Sequence, residues 1–359
     1  MGVTMQDVAR ATGLSLPTVS RVLSGSNYPI AADTRQRVQA AAESLGYRPN
    51  LAARGLRTKR TSTVGIIVDD IMSAFVPPIV RGIQDRLAAA DYSGLIVNVD
   101  WNPDLERTAI ADLLSRPVDG LLFVEYSHRA PDELLGNAEK PCFFVHRLFG
   151  TPIRNSVVPD DFRCSERVVD HLVSLGHRRI GLISGPANWH SARTRNEGFF
   201  SASNRHGLAI DPARIAYGDW ETKSGYDAAL HLLNTAAPPT AIFAANDLMA
   251  LGAIYAVQDA GLSVPNDVAI VGYDNRDFAA IVRPAITTMS MPVYEMGRVA
   301  ADLLLAQIDE RSPAVDEVRI QGELMIRESC GAPPTARCTE RTESVTTLRR
   351  LLLNREPDN

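Results

Sequence analysis

Two kinds of hydrophobic spacing divide the chain. In residues 4–45 the apolar positions recur three and four apart: Val8 and Ala9, then Val19, Val22 and Leu23, then Val38, Ala41, Ala42 and Leu45. That is the spacing of short helices that each bury one face. From Thr63 the pattern changes to apolar runs: VGIIVDD (64–70), GLIVNVD (94–100), DGLLFVE (119–125), CFFVH (142–146), RIGLISG (179–185), TAIFAAND (240–247) and DVAIVGYD (267–274). Amphipathic stretches at about 76–90, 104–115, 163–175, 193–206, 223–234 and 247–260 lie between them. Unbroken apolar strands alternating with helices predict parallel sheets covered on both faces. There are enough units for two sheets, divided near residues 155–162. A helix over 292–309 and late strands in VRIQGELMIRES predict a chain that crosses back between two lobes.

The polar residues of the first segment punctuate its helices. Thr4 is a good N-cap, and Asp7 stands where a capping-box partner belongs. Gly13 suits the left-handed residue that ends a helix. Ser15 caps a second helix, and Pro17 fits its first turn. Two short helices joined by a tight glycine turn make a helix-turn-helix, whose second helix enters the DNA major groove. The expected DNA-facing residues are Thr4, Leu16, Pro17, Thr18, Ser20 and Arg21. Arg21 can donate bidentately to guanine, Leu16 and Pro17 offer only apolar contact, and Thr18 and Ser20 suit bases or phosphates. A small helical hairpin with exposed polar residues would read the same way. A third helix spans Ala31 to Tyr47, closed by Gly46.

Next comes YRPNLAARGLRTKRTST, in which Pro49 stops the third helix and Asn50 can cap a short one over Leu51–Leu56. Such a piece is too short to be stable alone. It is basic and carries an outward leucine, as expected of a linker that folds on DNA and wedges Leu56 into the minor groove. An ordinary linker is the alternative.

Charge sharpens the division. Residues 1–60 hold nine Lys/Arg and three Asp/Glu, a balance of +6 that leaves −11 for the other 299 residues of a chain with net charge −5. A basic head on an acidic body is the footprint of a phosphate-binding module joined to something else.

In open α/β sheets ligands lie beyond the carboxyl ends of the strands. Those ends place Asn246 with Asp247, Asp274, and His146 at three strand termini, and Trp189, Ser191, Arg193 and Arg195 at the start of a helix. Trp220 sits in a loop. Carboxylate, carboxamide and guanidinium groups beside indole suit a polyhydroxylated ligand.

The segments DVARATGLSLPTVSRVLSGS, TRQRV…ESLGYRPN and LAARGLRTKRT resemble the LacI/GalR family of bacterial regulators. The resemblance continues through LGHRRIGLISGP, SARTRNEGF, PTAIFAANDLMALGA, VPNDVAIVGYDN and ITTMSMPVYEMGRVAADLLL, and so covers nearly all of residues 3–330. It implies a helix-turn-helix domain followed by a two-lobed α/β domain like that of periplasmic sugar-binding proteins. It implies a homodimer on a pseudo-palindromic operator, with Leu56 as the wedging hinge leucine and Ala52 and Ala53 facing the minor groove. Arg195, Asn246 and Asp274 match the family's polar effector contacts, Trp220 an aromatic one, and Phe75 and Val76 apolar ones. Two positions depart from the pattern. His146 stands where an acidic residue is common, and Met291 where glutamine is common. The start of the recognition helix, Leu16–Pro17, lacks polar readers, so readout is expected to lean on Arg21, methyl contacts and DNA shape.

Other chemistries lack their signatures. No G-x-G-x-x-G follows a strand, and no G-x-x-x-x-G-K-[ST] or G-x-S-x-G occurs. No enzyme activity, catalytic residue, cofactor or metal is expected. Asp69–Asp70 and Asp160–Asp161 are acidic pairs, read here as strand neighbours pointing opposite ways. His171 and His177 have poor metal spacing and read as structural. Cys142, Cys164, Cys330 and Cys338 show no C-x-x-C spacing and read as reduced thiols. The opening MGVTMQDVAR has no apolar core of a secretion signal and no apolar run is long enough to span a membrane, so a cytoplasmic location is expected.

The expected layout is a DNA-binding domain at 1–48, a hinge at 49–61, an effector and dimerisation domain at 62–330, and a tail at 331–359. The effector domain divides into lobes of about 62–160 with 292–320, and 161–291 with 321–330. Val345, Leu348 and Leu352 are too few heptad positions for a tetramerising coil. The reading is a repressor controlled by a small molecule, most simply a sugar. A solute-binding protein and an α/β enzyme are the alternatives.

Overall fold

The computed structural model describes residues 3–23, 28–47, 60–124, 140–146, 154–311 and 315–333. Asn50, Ala52, Ala53 and Leu56, the candidate hinge residues, lie outside this set, as do Cys338, Val345, Leu348 and Leu352. Chain contacts divide the protein into two compact units, Met1–Ser62 and Thr63–Asn359.

The first unit is built from α1 (Met5–Thr12), α2 (Leu16–Leu23) and α3 (Ala32–Ser44). Thr4 and Asp7 form the expected capping box: Asp7 N–H donates to the Thr4 hydroxyl oxygen, and the Asp7 carboxylate accepts from Thr4 N–H at 2.9 Å. Gly13 and Gly46 both take φ +67°, ending α1 and closing the turn after α3. Val8, Val19, Val22, Val38 and Ala42 make the buried cluster. Leu45, expected inside, is instead 38% exposed, because α3 stops at Ser44 and Leu45 already belongs to its terminal turn. The guanidinium of Arg37 donates to the Thr12 carbonyl at 2.9 Å, tying α3 to the end of α1.

The second unit holds two six-stranded sheets. The first is formed by β1 (Thr63–Val68), β2 (Ser93–Asn98), β3 (Gly120–Val124), β4 (Cys142–Val145), β5 (Ser156–Pro159) and β11 (Val318–Ile320), in the order β11-β5-β4-β3-β1-β2. The second is formed by β6 (Ile180–Ser184), β7 (Ile215–Tyr217), β8 (Ala241–Ala244), β9 (Ala269–Asp274), β10 (Thr287–Ser290) and β12 (Leu324–Met325), in the order β12-β10-β9-β8-β6-β7. Among the described residues every pairing is parallel except the short β10–β12 pair. Helices α4 (Val76–Ala88), α5 (Pro103–Ser115) and α10 (Val293–Ile308) cover the first sheet. The second sheet is covered by α6 (Asp161–Ser174), α7 (His190–Arg205), α8 (Thr222–Leu233) and α9 (Asp247–Asp259). The two-lobed parallel architecture read from the alternating pattern is the one observed.

The chain passes between the lobes three times, after β5, after β10 and after β11. These crossings are bonded to one another. Asp160 N–H donates to the Ile320 carbonyl at 2.9 Å, and Ser290 N–H donates to the Glu323 carbonyl at 2.7 Å. A Cβ on Gly322 would lie 1.8 Å from the Ser290 carbonyl oxygen, so only glycine lets the last crossing approach the second so closely.

Three differences from the expected pattern have local causes. Strands β5, β7 and β10 are only three or four residues long and give no periodic signal of their own. Strand β2 was expected to be covered, but it is an edge strand with Leu95 and Ile96 about 40% exposed. Asp160 and Asp161 are not strand neighbours: Asp160 caps α6 by accepting from Arg163 N–H, and Asp161 is the first residue of that helix. No helix among the described residues is long and apolar enough to cross a membrane.

Candidate functional site

On the first unit, α2 presents Leu16 (40% exposed), Pro17 and Arg21 to solvent, with Thr18 and Ser20 half-buried. The structure gives two hydroxyls of this expected set local duties. Thr18 shares a 2.8 Å hydrogen bond with Ser15, and Thr4 donates to Asp7 at 2.7 Å. Arg21 stacks on Tyr28, with the guanidinium carbon 4.1 Å from the ring centroid.

In the second unit a cavity of about 230 Å³ opens between the lobes, beyond the carboxyl ends of β4, β8 and β9. Eight of the nine expected ligand residues line it: Phe75, His146, Trp189, Arg195, Trp220, Asn246, Asp274 and Met291. Val76 does not. It is the first residue of α4 and is fully buried in the core of the first lobe, because the side chain facing the cleft at this turn is that of Phe75.

Arg195 is the electrostatic centre. Its Nε–H donates to Asp161 Oδ1 at 3.0 Å, Nη1 donates to the Ala245 carbonyl, and Nη1 lies 3.7 Å from Asp274 Oδ1. Its guanidinium carbon lies 3.7 Å from the Tyr273 ring centroid, and the Tyr273 hydroxyl donates to the same Asp161 oxygen at 2.7 Å. Arg195 is 3% exposed, so burial works against its charge; Asp161 and Asp274 outweigh this and raise its pKa above the ordinary arginine value. Asp274 is pushed well above the usual carboxylate range by burial, only partly offset by Arg195. Burial likewise raises Asp247 to about 6. The Asp161 carboxylate and the Asp274 carboxyl thus share one guanidinium, a set that can accept from and donate to neighbouring hydroxyls of a ligand.

The aromatic wall is fixed by local backbone. Trp220 takes φ +76°, and its indole packs on Gly185, where a Cβ would lie 2.2 Å from ring carbons. Trp189 meets it edge-on, centroids 5.7 Å apart. Asn246 holds the loop from behind: Oδ1 caps α9 through Met249 N–H, and Nδ2 donates to the Trp220 carbonyl, both at 2.8 Å. His146, at φ +54°, meets Phe75 edge-on at 5.3 Å from the opposite lobe wall.

Ser191, Glu221, Leu248 and Arg276 also line the cleft. The chain pattern pointed to Ser191 at a helix start but not to the other three, which follow strand or loop ends. Asp161 and Tyr273, behind Arg195, were missed as site residues. The acidic pair followed by a helical pattern was the available signal for Asp161. A smaller space of about 20 Å³, room for one water, adjoins the cleft between His146, His190, Glu317 and Arg319.

Among the described residues no group of three or more His, Cys, Asp and Glu is placed to hold a metal. His171 contacts Cys330 at 3.3 Å and His177 contacts Thr240 at 3.1 Å, which are packing roles.

A helix-turn-helix unit joined to a two-lobed, periplasmic-binding-protein-like unit defines a DNA-binding transcriptional regulator. Comparison with known proteins gives the family. Residues 4–50 match the family model of bacterial regulatory proteins, lacI family, and residues 169–330 match a periplasmic binding protein-like domain. Catabolite control protein A of Priestia megaterium is 36% identical over 336 residues, covering 92% of this chain and 99% of that protein. The lac repressor dimer bound to operator and the anti-inducer ONPF superposes with a TM-score of 0.75 at 30% identity, over 92% of this chain and 100% of that one. A complex of the transcriptional regulator CelR with cellobiose gives 0.65 at 30% identity, over 91% and 99%. The chain belongs to the LacI family, and is a transcriptional regulator rather than an enzyme.

Proposed function

We propose that this regulator is a repressor whose operator binding is set by a sugar or related polyol held between the lobes. The observation that carries the reading is the buried Arg195–Asp161–Asp274 array beside two tryptophans. Vicinal hydroxyls satisfy adjacent charged groups while indole covers the apolar face of a sugar ring. A cavity of about 230 Å³ suits a small ligand. The relatives resolved with ONPF and with cellobiose support the ligand class. Phe75, His146, Trp189, Trp220, Asn246 and Met291 complete the proposed contacts.

On the DNA side the proposed contacts are Leu16, Pro17, Thr18, Ser20 and Arg21, with Thr4 at the helix start, Asn50 at the start of the hinge, and Ala52, Ala53 and Leu56 in the minor groove. The layout assigned above, with a hinge over 49–61 and a tail over 331–359, belongs to this proposal. A homodimer on a pseudo-palindrome is favoured by an exposed apolar edge: Ile71, Met72, Leu95, Ile96, Trp101 and Leu105. Ile71 N–H donates to Asn98 Oδ1 at 2.7 Å and Trp101 N–H donates to the Asp69 carbonyl at 3.3 Å, so these segments are neighbours at one end of β1 and β2. Ligand binding would shift the equilibrium between DNA-competent and DNA-released states by about 1–3 kcal/mol.

The test is a gel-shift titration of the chain on DNA upstream of its own gene, with a panel of monosaccharides and disaccharides. The expected result is a specific complex whose affinity one sugar changes at least five-fold. Arg195→Ala or Asp274→Ala should erase that response and leave the ligand-free complex intact. No specific complex at physiological salt would overturn the repressor reading; a complex indifferent to every sugar would overturn the ligand class.

A further inference from the structure

Arg21 closes the last turn of α2, and its guanidinium carbon lies 4.1 Å from the centroid of the Tyr28 ring. Tyr28 belongs to the segment leading into α3 and is 52% exposed. It takes no part in the buried cluster of Val8, Val19, Val22, Val38 and Ala42, so core packing does not account for its placement. The ring lies against Arg21, the one long cationic side chain of α2.

We infer that Tyr28 is a positioning residue for base readout, holding the Arg21 guanidinium in place for a guanine edge before DNA arrives. This rests on the reading of α2 as the recognition helix with Arg21 as its base reader. An arginine side chain is long and rotamer-rich, and fixing it on binding weakens the complex. A stack against an aromatic ring restricts it in advance. A guanidinium held over a ring by its flat face keeps its N–H donors, which lie in the plane, directed away from the ring. Stacking on Tyr28 and bidentate bonding to guanine O6 and N7 are therefore compatible. The apolar start of the helix increases the demand on this residue, since Leu16 and Pro17 offer no hydrogen bonds to bases. Tyr28 thereby contributes to specificity without itself reading a base.

The experiment uses the full chain and a duplex selected by it from a random pool. Affinities are measured by fluorescence anisotropy on that duplex and on variants of its contacted guanines, across a salt series. Tyr28→Ala should weaken the selected duplex about two- to five-fold, weaken the guanine-replaced duplexes less, and leave the salt slope unchanged. Tyr28→Phe, which keeps the ring, should match the wild type. In an Arg21→Ala background, Tyr28→Ala should have no further effect. Equal losses on all duplexes with a shallower salt slope, in both Tyr28 variants, would assign the hydroxyl to a phosphate and overturn the inference. So would an unchanged Tyr28→Ala in a protein where Arg21→Ala loses guanine preference. Retained guanine preference in Arg21→Ala would sink the reading of Arg21 itself.

Discussion

Asp161 and Arg195 are joined by a 3.0 Å hydrogen bond between side chains that are 6% and 4% exposed, across 34 residues of sequence. The bond links the first turn after a lobe crossing to the helix that forms the floor of the cleft. Removing one partner leaves the other charge buried and unmatched, which costs about 3–5 kcal/mol. Asp161→Ala should therefore lower stability by that order, while Asp161→Asn, which keeps an acceptor oxygen, should lose less. Urea unfolding followed by tryptophan fluorescence checks this, since Trp101, Trp189 and Trp220 all lie in the second unit. A loss below about 1 kcal/mol for the alanine variant would show that Asp274 alone can hold Arg195.

Gly185 and Trp220 share a space that admits no further atom: a Cβ would stand 2.2 Å from the indole. In Gly185→Ala the ring must leave its position, and the cleft loses its aromatic wall. The expected outcome is loss of any sugar response, altered tryptophan emission, and unchanged binding of DNA by the ligand-free protein. An intact sugar response would remove Trp220 from the ligand contacts.

Asp247 predicts a pH dependence of defined sign. Burial raises its folded-state pKa to about 6, from 3.8. Between those values the folded chain holds a proton that the unfolded chain has lost, so stability falls as pH rises. Asp247→Asn lacks that loss, and its amide oxygen can still accept from Arg276 N–H, as Asp247 does at 2.7 Å. The stability of the variant relative to wild type should grow from about pH 4 to about pH 6 and then level. A flat difference in urea unfolding across that window would contradict it.

Thr4 combines two expectations, cap and DNA contact, and the structure realises the first. Thr4→Ala removes both bonds of the hydroxyl, the one accepted from Asp7 N–H and the one donated to the Asp7 carboxylate, and keeps the Thr4 N–H bond, at a cost of about 1 kcal/mol. Amide exchange at Asp7 and Val8 should quicken about five-fold, and Thr4→Ser should restore protection. Unchanged exchange would mean that the helix start is held by α3 rather than by its cap.

The local patterns made most of the fold legible. Capping residues and three–four spacing located α1 to α3, and apolar runs located seven of the strands, because burial on both faces leaves an unbroken hydrophobic signature. Strands β5, β7 and β10 were not legible, since none of them holds an apolar run longer than three residues, whereas the equally short β4 and β8 lie in longer runs. The exposure of β2 was equally hidden: edge and interior strands can carry the same apolar composition.

The cleft shows the same division. Trp189, Arg195, Asn246 and Asp274 stand beside strand or helix ends, where any open α/β sheet gathers its ligand groups, so sequence alone determined their candidacy. Sequence also determined the helix-turn-helix, whose short helices and caps are local. Only the tertiary structure decided that Phe75 rather than Val76 faces the cleft, that Asp161 and Tyr273 back Arg195, and that Arg276 and Glu221 join the lining. Those relationships depend on which way a turn aims a side chain and on how the crossings bring β5, α6 and α7 together. No residue type or spacing encodes such directions, because they arise from the packing of segments that are distant in the chain.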